Sequence, residues 1–521
     1  MIKKEKLLSW YVDHWAREKP DAEAIKFKGQ GITWSQLANA VDRTARAFLE
    51  LGVEKGDCIA LVSMSRPEFI ITFMAAAKIG AIWTGLSPRF SISETGRILK
   101  DCRPVVLITQ EHYDNTNLVE RALTFGFELP CIRSTLIIGN AQKSLSAFDA
   151  FIAEPRTHLQ EALKQREAEI SADDATLLMF TSGSSGFPKG VLHSHRSVLS
   201  NVEQEQQLLA MSGDTRILLH FPINHVAANV EIGYCGLYSG ACLVMLEDFD
   251  AGKVLAAVDE EKITVIGQVP AMYILQMRDP AFQTTTWESV KTFVWGGSAA
   301  AQDLLTVLEK ICLKTGAHMI TGYGATEMGG FVTFTPPGQS AETMSGHVGK
   351  PYSNCKLRIV DHARKAVKVG EIGEVAVKGP VLMKGYLNNR GLTEEVMDDK
   401  GWYYTSDLGS LDESGNLTLH GRRSEMFKCG GENAFPCEIE RVLEAHPAIL
   451  FAAVIVEPDE IFDEVAHAHV VIVPGVKVSD DDIKEWCAAS LSHFKIPRKI
   501  FFHKSLPLLP NGKVDKVKLS K

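Results

Sequence analysis

A run rich in glycine and hydroxyl residues has the residue types of a phosphate-binding loop. Residues 175–180 read as a strand and lead into Thr-Ser-Gly-Ser-Ser-Gly-Phe-Pro-Lys-Gly at 181–190. Small residues let backbone amides approach phosphate oxygens, hydroxyls add donors, and Lys189 adds a mobile positive charge. The glycine-to-lysine spacing is that of a P-loop, but Pro188 replaces its second glycine and Gly190 its Mg²⁺-binding hydroxyl residue. We therefore predict a phosphate loop between a strand and a helix that is not a P-loop NTPase loop.

Three later motifs carry groups suited to the rest of a nucleotide. The sequence Gly-Tyr-Gly-Ala-Thr-Glu at 322–327 offers an aromatic face for a base and a carboxylate for a hard cation. Asp407 could accept two ribose hydroxyls, and Arg422 could donate to ribose or phosphate. Near the C-terminal end, Lys513 follows Asn-Gly in a proline-bounded turn. The first two of these motifs carry residue types that suit the base, ribose, phosphates and cation of a nucleotide.

The loop at 181–190 resembles the signature of the adenylate-forming superfamily, which includes acyl-CoA synthetases, luciferases and peptide-synthetase adenylation domains. The later motifs follow in that superfamily's order, and the chain most resembles an acyl-CoA synthetase. The resemblance implies that a carboxylate attacks the α-phosphorus of Mg-ATP, giving acyl-AMP and pyrophosphate. The acyl group then passes to the thiol of coenzyme A. ATP, Mg²⁺ and coenzyme A are therefore the expected small molecules.

The same resemblance implies a role for each motif residue. ATP and AMP binding is expected from Thr181, Ser182, Gly183, Ser184, Ser185, Gly186, Lys189, Gly322, Tyr323, Gly324, Ala325, Thr326, Asp407 and Arg422. Glu327 is expected to hold Mg²⁺. Catalytic roles are implied for Lys189, His225, Thr326, Glu327 and Lys513, and Lys513 would bridge the acid's carboxylate and the α-phosphate as negative charge builds up.

Two further sites follow from the resemblance. The acyl pocket is expected from His225, Val226, Asn229, Gly296, Gly297, Ser298, Tyr323 and Gly324, with the small residues at 296–298 leaving space for the acyl group. The path of the coenzyme A arm is expected along Cys429, Gly430, Gly431 and Glu432, because paired glycines leave room for a narrow thiol arm. Cys429 itself matches no family role and is interpreted as an ordinary reduced thiol.

At two positions this sequence departs from the family pattern. Ser406 stands where the family usually has glycine before the ribose-binding aspartate, and Ser424 stands at the usual Asp or Lys hinge. We nevertheless expect an N-terminal domain at 1–421, a hinge at 422–426 and a mobile C-terminal domain at 427–521. The small domain would swing about the hinge, withdrawing Lys513 and presenting the 429–433 loop to coenzyme A.

The elements that must position these residues are α/β. Single hydrophobic cores stop growing at roughly 250–300 residues, so 521 residues predict at least two folding units. Short apolar runs alternate with amphipathic stretches over the first four hundred residues, which is typical of buried parallel strands joined by helices. Shorter alternating strands suggest a small β subdomain at about 350–421, and a new α+β series follows it.

Composition and charge exclude several other classes. A net charge of −9 argues against general affinity for nucleic acid or anionic membrane. The ten cysteines show no framework spacing, which predicts reduced thiols of a cytoplasmic protein. No signal peptide is expected, and residues 69–86 read as a buried helix and strand rather than a membrane span. An oligomer is left open.

Three alternatives to an acyl-CoA synthetase stay open at this point. A peptide-synthetase domain would normally carry an Asp for the substrate amine near residues 221–231, but none occurs there. The acyl acceptor could instead be a carrier protein, or the reaction could be luciferase-like. A non-catalytic nucleotide-binding protein is the third alternative. An apolar aliphatic, alicyclic or aryl acid is the expected substrate, because no charged residue could be placed in the pocket.

Overall fold

The computed structural model describes residues 6–142, 145–182, 188–508 and 514–520. Its strands are β1 Glu23–Phe27, β2 Gln30–Thr33, β3 Cys58–Val62, β4 Ile82–Leu86, β5 Val106–Gln110, β6 His112–Tyr113, β7 Thr116–Asn117, β8 Ser134–Ile138, β9 Ser146–Ala147, β10 Ala175–Ser182, β11 Pro188–Ser194, β12 Arg216–Leu219, β13 Cys242–Met245, β14 Val265–Gln268, β15 Thr292–Trp295, β16 His318–Ala325, β17 Gly330–Phe334, β18 Lys350–Pro351, β19 Lys356–Val360, β20 Gly373–Lys378, β21 Gly385–Tyr386, β22 Tyr403–Leu411, β23 Leu417–Arg422, β24 Phe427–Cys429, β25 Glu432–Ala434, β26 Ile449–Asp459, β27 Asp463–Ile472 and β28 Lys499–His503.

The helices are α1 Leu8–Glu18, α2 Trp34–Glu50, α3 Pro67–Ile79, α4 Ile92–Cys102, α5 Leu118–Glu128, α6 Phe148–Ala153, α7 Gln160–Ala168, α8 His195–Leu208, α9 Cys235–Ser239, α10 Ala251–Glu260, α11 Pro270–Arg278, α12 Gln302–Thr315, α13 Ala341–Met344, α14 Arg390–Val396, α15 Pro436–Glu444, α16 Asp480–Ser490 and α17 Lys516–Leu519. A π-helical turn spans Ala227–Tyr234. Short 3₁₀ turns span Thr326–Met328 and Arg423–Glu425.

Two large sheets form the first four hundred residues. One has nine strands in the order β18-β17-β16-β15-β14-β12-β13-β1-β2, and the other has eight in the order β21-β11-β10-β4-β3-β5-β8-β9. Their central strands are parallel, and antiparallel strands lie only toward the edges. Strands such as β3 and β5 are buried along their whole length, as expected where helices cover both faces of a parallel sheet. The predicted α/β fold is confirmed.

Local sequence signals fix the ends of the helices. Helix α2 begins at a capping box formed by Thr33 and Gln36, and Gly52 follows its end with a φ of 72°. Helix α3 has Pro67 in its first turn and leads through Gly80 into β4. Residues 69–86 therefore form a buried helix and strand, as predicted. Among the described residues, no helix has both the length and the apolar character needed to cross a bilayer.

Three smaller sheets complete the described chain, one of them the two-stranded pair of β6 and β7. Antiparallel strands β19, β20, β22 and β23 form a four-stranded sheet. Past the 3₁₀ turn at Arg423–Glu425, strands β24 to β28 form one further sheet, against which α15 and α16 pack. This C-terminal region has a hydrophobic core of its own, centred on residues such as Phe427, Ile439 and Val470.

The phosphate loop joins two strands, so the predicted strand-to-helix connection is wrong. Strands β10 and β11 are antiparallel, with Thr181 opposite Lys189 and Ser182 opposite Pro188. Residues 188–194 are extended because they pair on both sides, with β10 and with β21. Helix α8 starts only at His195, after Ser194 caps it through the amide of Ser197. Gly183, Ser184, Ser185 and Gly186 lie outside the described residues, as does the side chain of Ser182.

Candidate active site

Lys189 stands on the returning strand of the phosphate loop. Strand β11 pairs with β21, and this places Val191 opposite Tyr386. The Lys189 Nζ lies 5.6 Å from the centroid of the Tyr386 ring, within reach of a cation–π interaction. Lys189 is only half-buried. Its amino group is therefore held beside an aromatic side chain while keeping access to an incoming anion.

The Gly-Tyr-Gly-Ala-Thr-Glu motif lies at the end of β16, tightly paired with β17. A Cβ atom on Gly322 would overlap with the carbonyl oxygen of Thr333, and one on Gly324 with that of Gly330. Both positions therefore require glycine because the neighbouring backbone occupies the space of a side chain. The motif's two glycines keep the strand pair close and fix Tyr323 between them.

Tyr323 and Arg422 converge on the Asp407 carboxylate. The Tyr323 hydroxyl donates to Asp407 Oδ2 at 2.5 Å, and Arg422 Nε donates to Asp407 Oδ1 at 3.0 Å. Strands β16, β22 and β23 thus bring together residues up to 99 positions apart in sequence number (422 minus 323). Burial and the Asp407 carboxylate raise the pKa of Tyr323, which keeps its hydroxyl a donor. A carboxylate accepts about four hydrogen bonds, so Asp407 retains capacity for a ligand hydroxyl.

Glu327 is held by its backbone and by a tyrosine. Its carbonyl accepts from the Met383 amide at 2.8 Å, and its Oε1 accepts from the Tyr386 hydroxyl at 2.9 Å. Burial and the Glu327 carboxylate raise the pKa of Tyr386. Lys189 and Glu327 therefore both contact Tyr386, a residue that the sequence reasoning missed. No sequence motif includes Tyr386. Its partners Glu327 and Lys189 lie 59 and 197 positions earlier in the chain, so no short run of sequence contains the contact.

His193 supports the turn that carries Thr326 and Glu327. Its Nε2 lies 2.7 Å from the Thr326 carbonyl oxygen, and its Nδ1 lies 3.1 Å from Ser197 Oγ. Burial lowers the pKa of His193 to about 4, so the ring is neutral near pH 7. Because a carbonyl only accepts, Nε2 must carry the ring proton. His193 is thus a buried brace behind the Thr326–Met328 turn.

Ser406 shows how this chain accommodates its departure from the family pattern. Its φ is 63°, in the left-handed region where glycine is the usual residue. The Ser406 amide donates to Glu374 Oε1 at 2.8 Å, and Glu374 Oε2 accepts from Arg423 Nη1 at 3.1 Å. Glu374, also missed by the sequence reasoning, therefore ties the backbone beside Asp407 to the turn at 423–425.

The His225 segment is arranged around its own backbone. His225 Nδ1 accepts from the Ala227 amide at 3.2 Å, and its ring stacks on Phe221. The Asn229 side chain is buried, and its amide donates to the carbonyls of Ile223 and His225 at 2.9 and 3.0 Å. Val226 is likewise buried. Asn229 thus braces the His225 turn, and its place in the wall of the acyl pocket stays a prediction.

The expected space beside Gly296 is filled by an aromatic ring. A Cβ atom on Gly296 would overlap with the ring of Phe331, and one on Gly322 would lie 2.9 Å from the same ring. Gly297 and Ser298 are exposed. The small residue at 296 therefore makes room for Phe331, and the acyl-pocket role of residues 296–298 stays a prediction. Phe331 sits on β17, where no motif pointed to it.

The Cys429–Glu432 segment is a hairpin turn between β24 and β25. Gly430 and Gly431 have φ values of 59° and 86°, which explains the paired glycines. Cys429 is buried, and burial raises the pKa of its thiol, as expected for an unreactive cysteine. Ser424 is exposed in the 3₁₀ turn at Arg423–Glu425. Lys513 lies outside the described residues.

Two family profiles match this chain, one in its N-terminal part and one in its C-terminal part. The AMP-binding enzyme profile matches residues 12–387, well over half of the chain. The profile for the AMP-binding enzyme C-terminal domain matches residues 438–513. The chain belongs to the AMP-binding enzyme family.

This AMP-binding enzyme is similar over nearly its full length to curated CoA ligases. It is 30% identical to indoleacetate–CoA ligase from Aromatoleum aromaticum, covering 98% of this chain and 96% of the relative. It is also 30% identical to feruloyl-CoA synthase from an Amycolatopsis species, covering 99% and 98%. Among solved structures, the anthranilate CoA ligase AuaEII in complex with anthranoyl-AMP superposes with a TM-score of 0.88, at 24% identity over 99% and 96% of the two chains. That last likeness shows the shared fold.

Proposed function

We propose that this chain is an AMP-forming carboxylic acid–CoA ligase. It converts an acid and ATP into acyl-AMP and pyrophosphate, then transfers the acyl group to coenzyme A and releases AMP. One observation carries the proposal. Three separate segments bring Lys189, Tyr323, Glu327 and Asp407 together: the Tyr323 hydroxyl donates to the Asp407 carboxylate, and Lys189 and Glu327 both contact Tyr386. Full-length similarity to named CoA ligases supports the same reaction.

The proposed roles follow from the groups that converge. Asp407 accepts from the ribose hydroxyls, and Arg422 orients it. Lys189 neutralises phosphate charge from the returning strand of the loop. The reacting carboxylate and the α-phosphate are both anions, so the chain's contribution is positioning and charge neutralisation. Lys513 supplies the second positive charge at the reacting phosphorus in this proposal.

Glu327 is the proposed protein ligand of Mg²⁺. Magnesium is commonly held by one or two carboxylates together with phosphate oxygens. Glu327 fits this pattern, because the Tyr386 hydroxyl bonds its Oε1 and, among the residues that the structure describes, its other oxygen is left available. When bound, the ion would neutralise phosphate charge, and Tyr386 would hold the carboxylate in place.

The proposed substrate is an acid that carries a ring. Curated relatives are named for feruloyl, coumarate and indoleacetate acids, all at 29% or 30% identity. Within this chain, Phe331 presents an aromatic ring beside Gly296 and Gly322. Aromatic side chains pair favourably with ligand rings in offset or edge-to-face geometry.

A pyrophosphate-release screen tests the function. Aryl, alicyclic and aliphatic acids are supplied with ATP, with and without coenzyme A, and acyl-CoA is followed by chromatography. We expect pyrophosphate release with ring-bearing acids and acyl-CoA only when coenzyme A is present. Tight ATP binding with no pyrophosphate release for any acid would overturn the proposal. Acyl transfer to another acceptor in preference to coenzyme A would overturn the second step alone.

A further inference from the structure

Lys516 ties the last described segment of the chain, residues 514–520, to helix α15. It stands at the first position of α17, and its Nζ lies 2.7 Å from Glu440 Oε1 on α15. Helix α17 lies against β26, and Val514 and Leu519 pack against a small buried cluster that includes part of that strand. The 514–520 segment is thus held by apolar packing on β26 and by an ion pair with α15.

The Lys516–Glu440 pair is a more constrained contact than its neighbour in sequence. Glu440 Oε1 also accepts from the Val454 amide on β26 at 2.8 Å, so the carboxylate is fixed independently of the lysine. The two side chains of the pair are 35% and 18% exposed, and salt screens partly buried pairs less than exposed ones. Lys518 is 67% exposed and pairs at 3.4 Å with Asp515, three residues earlier in the same segment. Lys518 is therefore a matched lysine whose ion pair, among the described residues, does not leave the segment.

The 514–520 segment begins directly after Lys513. Val514 pairs with Leu508 in an antiparallel bridge, and the Asp515 amide donates to the Pro507 carbonyl at 2.8 Å. The residues on either side of 509–513 are therefore paired with each other. A contact that holds this paired base in place fixes the point from which Lys513 begins.

Lys516 also lies near the expected hinge. Burial opposes the charge of Lys516, yet the carboxylates of Glu440 and Glu425 outweigh it and raise the pKa of the lysine. Glu425 belongs to the 3₁₀ turn at Arg423–Glu425, inside the hinge expected at 422–426. The charge of Lys516 therefore lies between α15 and the segment about which the C-terminal region is expected to turn.

We propose that Lys516 is a positioning residue for acyl-AMP formation, which holds the segment after Lys513 against α15 through Glu440. It contacts neither the acid nor the nucleotide and acts through the placement of Lys513. A displacement of about 1 Å can cost about 100-fold in rate, so the step that uses Lys513 should depend on this contact. Acyl transfer to coenzyme A does not use Lys513 and should not depend on Lys516. This inference rests on the proposed ligase function and adds a residue to it.

Two half-reactions of K516A and K518A measure this role. Acyl-AMP formation is followed as pyrophosphate release from ATP with benzoate, 3-phenylpropanoate or 4-coumarate, whichever wild type turns over fastest. Acyl-CoA formation is followed by chromatography from the corresponding acyl-AMP, supplied with coenzyme A. We expect K516A to slow acyl-AMP formation about tenfold or more and to leave acyl-CoA formation within about twofold of wild type. K516R should retain most of the wild-type rate because it keeps the charge, and the control K518A should leave both rates unchanged.

E440Q tests whether Glu440 is the partner through which Lys516 acts. The glutamine oxygen can still accept from the Val454 amide, but the charge that attracts Lys516 is lost. E440Q should therefore slow acyl-AMP formation about as much as K516A does. In the double variant K516A/E440Q the loss should be no greater than in either single variant, because both changes remove the same contact. If the two effects multiply instead, Lys516 does not act through Glu440.

The outcomes separate this inference from the proposed function. If K516A slows both half-reactions to the same degree, or slows neither, the positioning role of Lys516 is overturned and the ligase function stands. If wild type releases no pyrophosphate with any acid of the wider screen, the ligase function fails and this inference fails with it. Thermal unfolding checks that each variant folds. If K516A does not fold, the two half-reactions of E440Q, which keeps the bond to Val454, decide the matter.

Discussion

The Asp407 carboxylate receives donors from two other strands, which makes it the residue on which nucleotide binding should depend most. D407N would replace one charged acceptor oxygen with an amide donor facing the Tyr323 and Arg422 donors. Hydrogen bonds to charged groups contribute about 1.5–3 kcal/mol, so KM for ATP should rise about 10- to 100-fold. KM for ATP is measured from the initial rates of pyrophosphate release over a range of ATP concentrations, for D407N and for wild type. D399N, at an exposed turn position, is the matched control, and equal effects of the two changes would contradict the assignment.

Ser406 and Glu374 form a second pair whose coupling can be measured. A non-glycine residue at a φ of 63° is held in a conformation that costs on the order of 1 kcal/mol, and the Glu374 carboxylate stabilises it by accepting the Ser406 amide. E374A should therefore raise KM for ATP by shifting the backbone next to Asp407. In the double variant S406G/E374A, glycine adopts that conformation without the carboxylate and should recover a large part of the loss.

The double-mutant cycle distinguishes this positioning role from general damage. S406G alone should leave KM for ATP near the wild-type value, since glycine is the ordinary residue at a positive φ. Strictly additive effects of the two changes on KM would show that Glu374 does not act through Ser406.

At the residue scale, motifs predicted the residues proposed to bind the nucleotide but not the residues that support them. Tyr323, Asp407 and Arg422 stand in recognisable short runs, and the structure brings them into contact. Tyr386 and Glu374 could not be found that way, because each acts on a partner 32 or more positions away, across strands whose pairing the sequence does not reveal.

Among elements, the hairpin β10–β11 shows both what the sequence predicts and where it fails. The apolar run at 175–180 predicted a strand, and the structure has one. The following residues, with their glycine and lysine, were read as the entry to a helix. They extend instead because β21, from nearly 200 positions later in the chain, pairs with them (386 minus 191 is 195). A long-range partner of this kind leaves no local signal.

His193 on β11 makes a prediction about stability and pH. Its pKa is about 4 in the folded chain and about 6.5 when exposed, so the stability linked to its neutral burial is complete above pH 6.5 and is lost as pH falls toward 4. We compare the free energy of unfolding of wild type with that of H193Q. The wild-type value minus the H193Q value should be about 2 kcal/mol smaller at pH 5 than at pH 8. Denaturant unfolding at both pH values measures this difference. If this difference between wild type and H193Q stays constant or grows as the pH is lowered, the His193 ring is not buried in its neutral form.

For the whole molecule, length and alternation were enough to predict α/β layers and more than one folding unit. The separate C-terminal core, with residues such as Phe427 and Val470, accords with that expectation. The swing of the C-terminal region about residues 422–426 remains a prediction. Arg423, within that segment, donates to Glu374 on β20, so this contact anchors the segment.

Lys513, the last residue matched by the C-terminal domain profile, bears on the central claim. That claim is that Lys513, from the C-terminal region, and Lys189 both place positive charge at the reacting phosphorus during adenylation.

The decisive measurement compares two half-reactions of K513A: acyl-AMP formation from acid and ATP, and acyl-CoA formation from supplied acyl-AMP. K504A, an exposed lysine nearby in sequence, serves as the control. We predict that K513A slows acyl-AMP formation about 100-fold or more and leaves acyl-CoA formation within a few-fold of wild type. Equal loss of both half-reactions, or adenylation at the wild-type rate, would contradict the account.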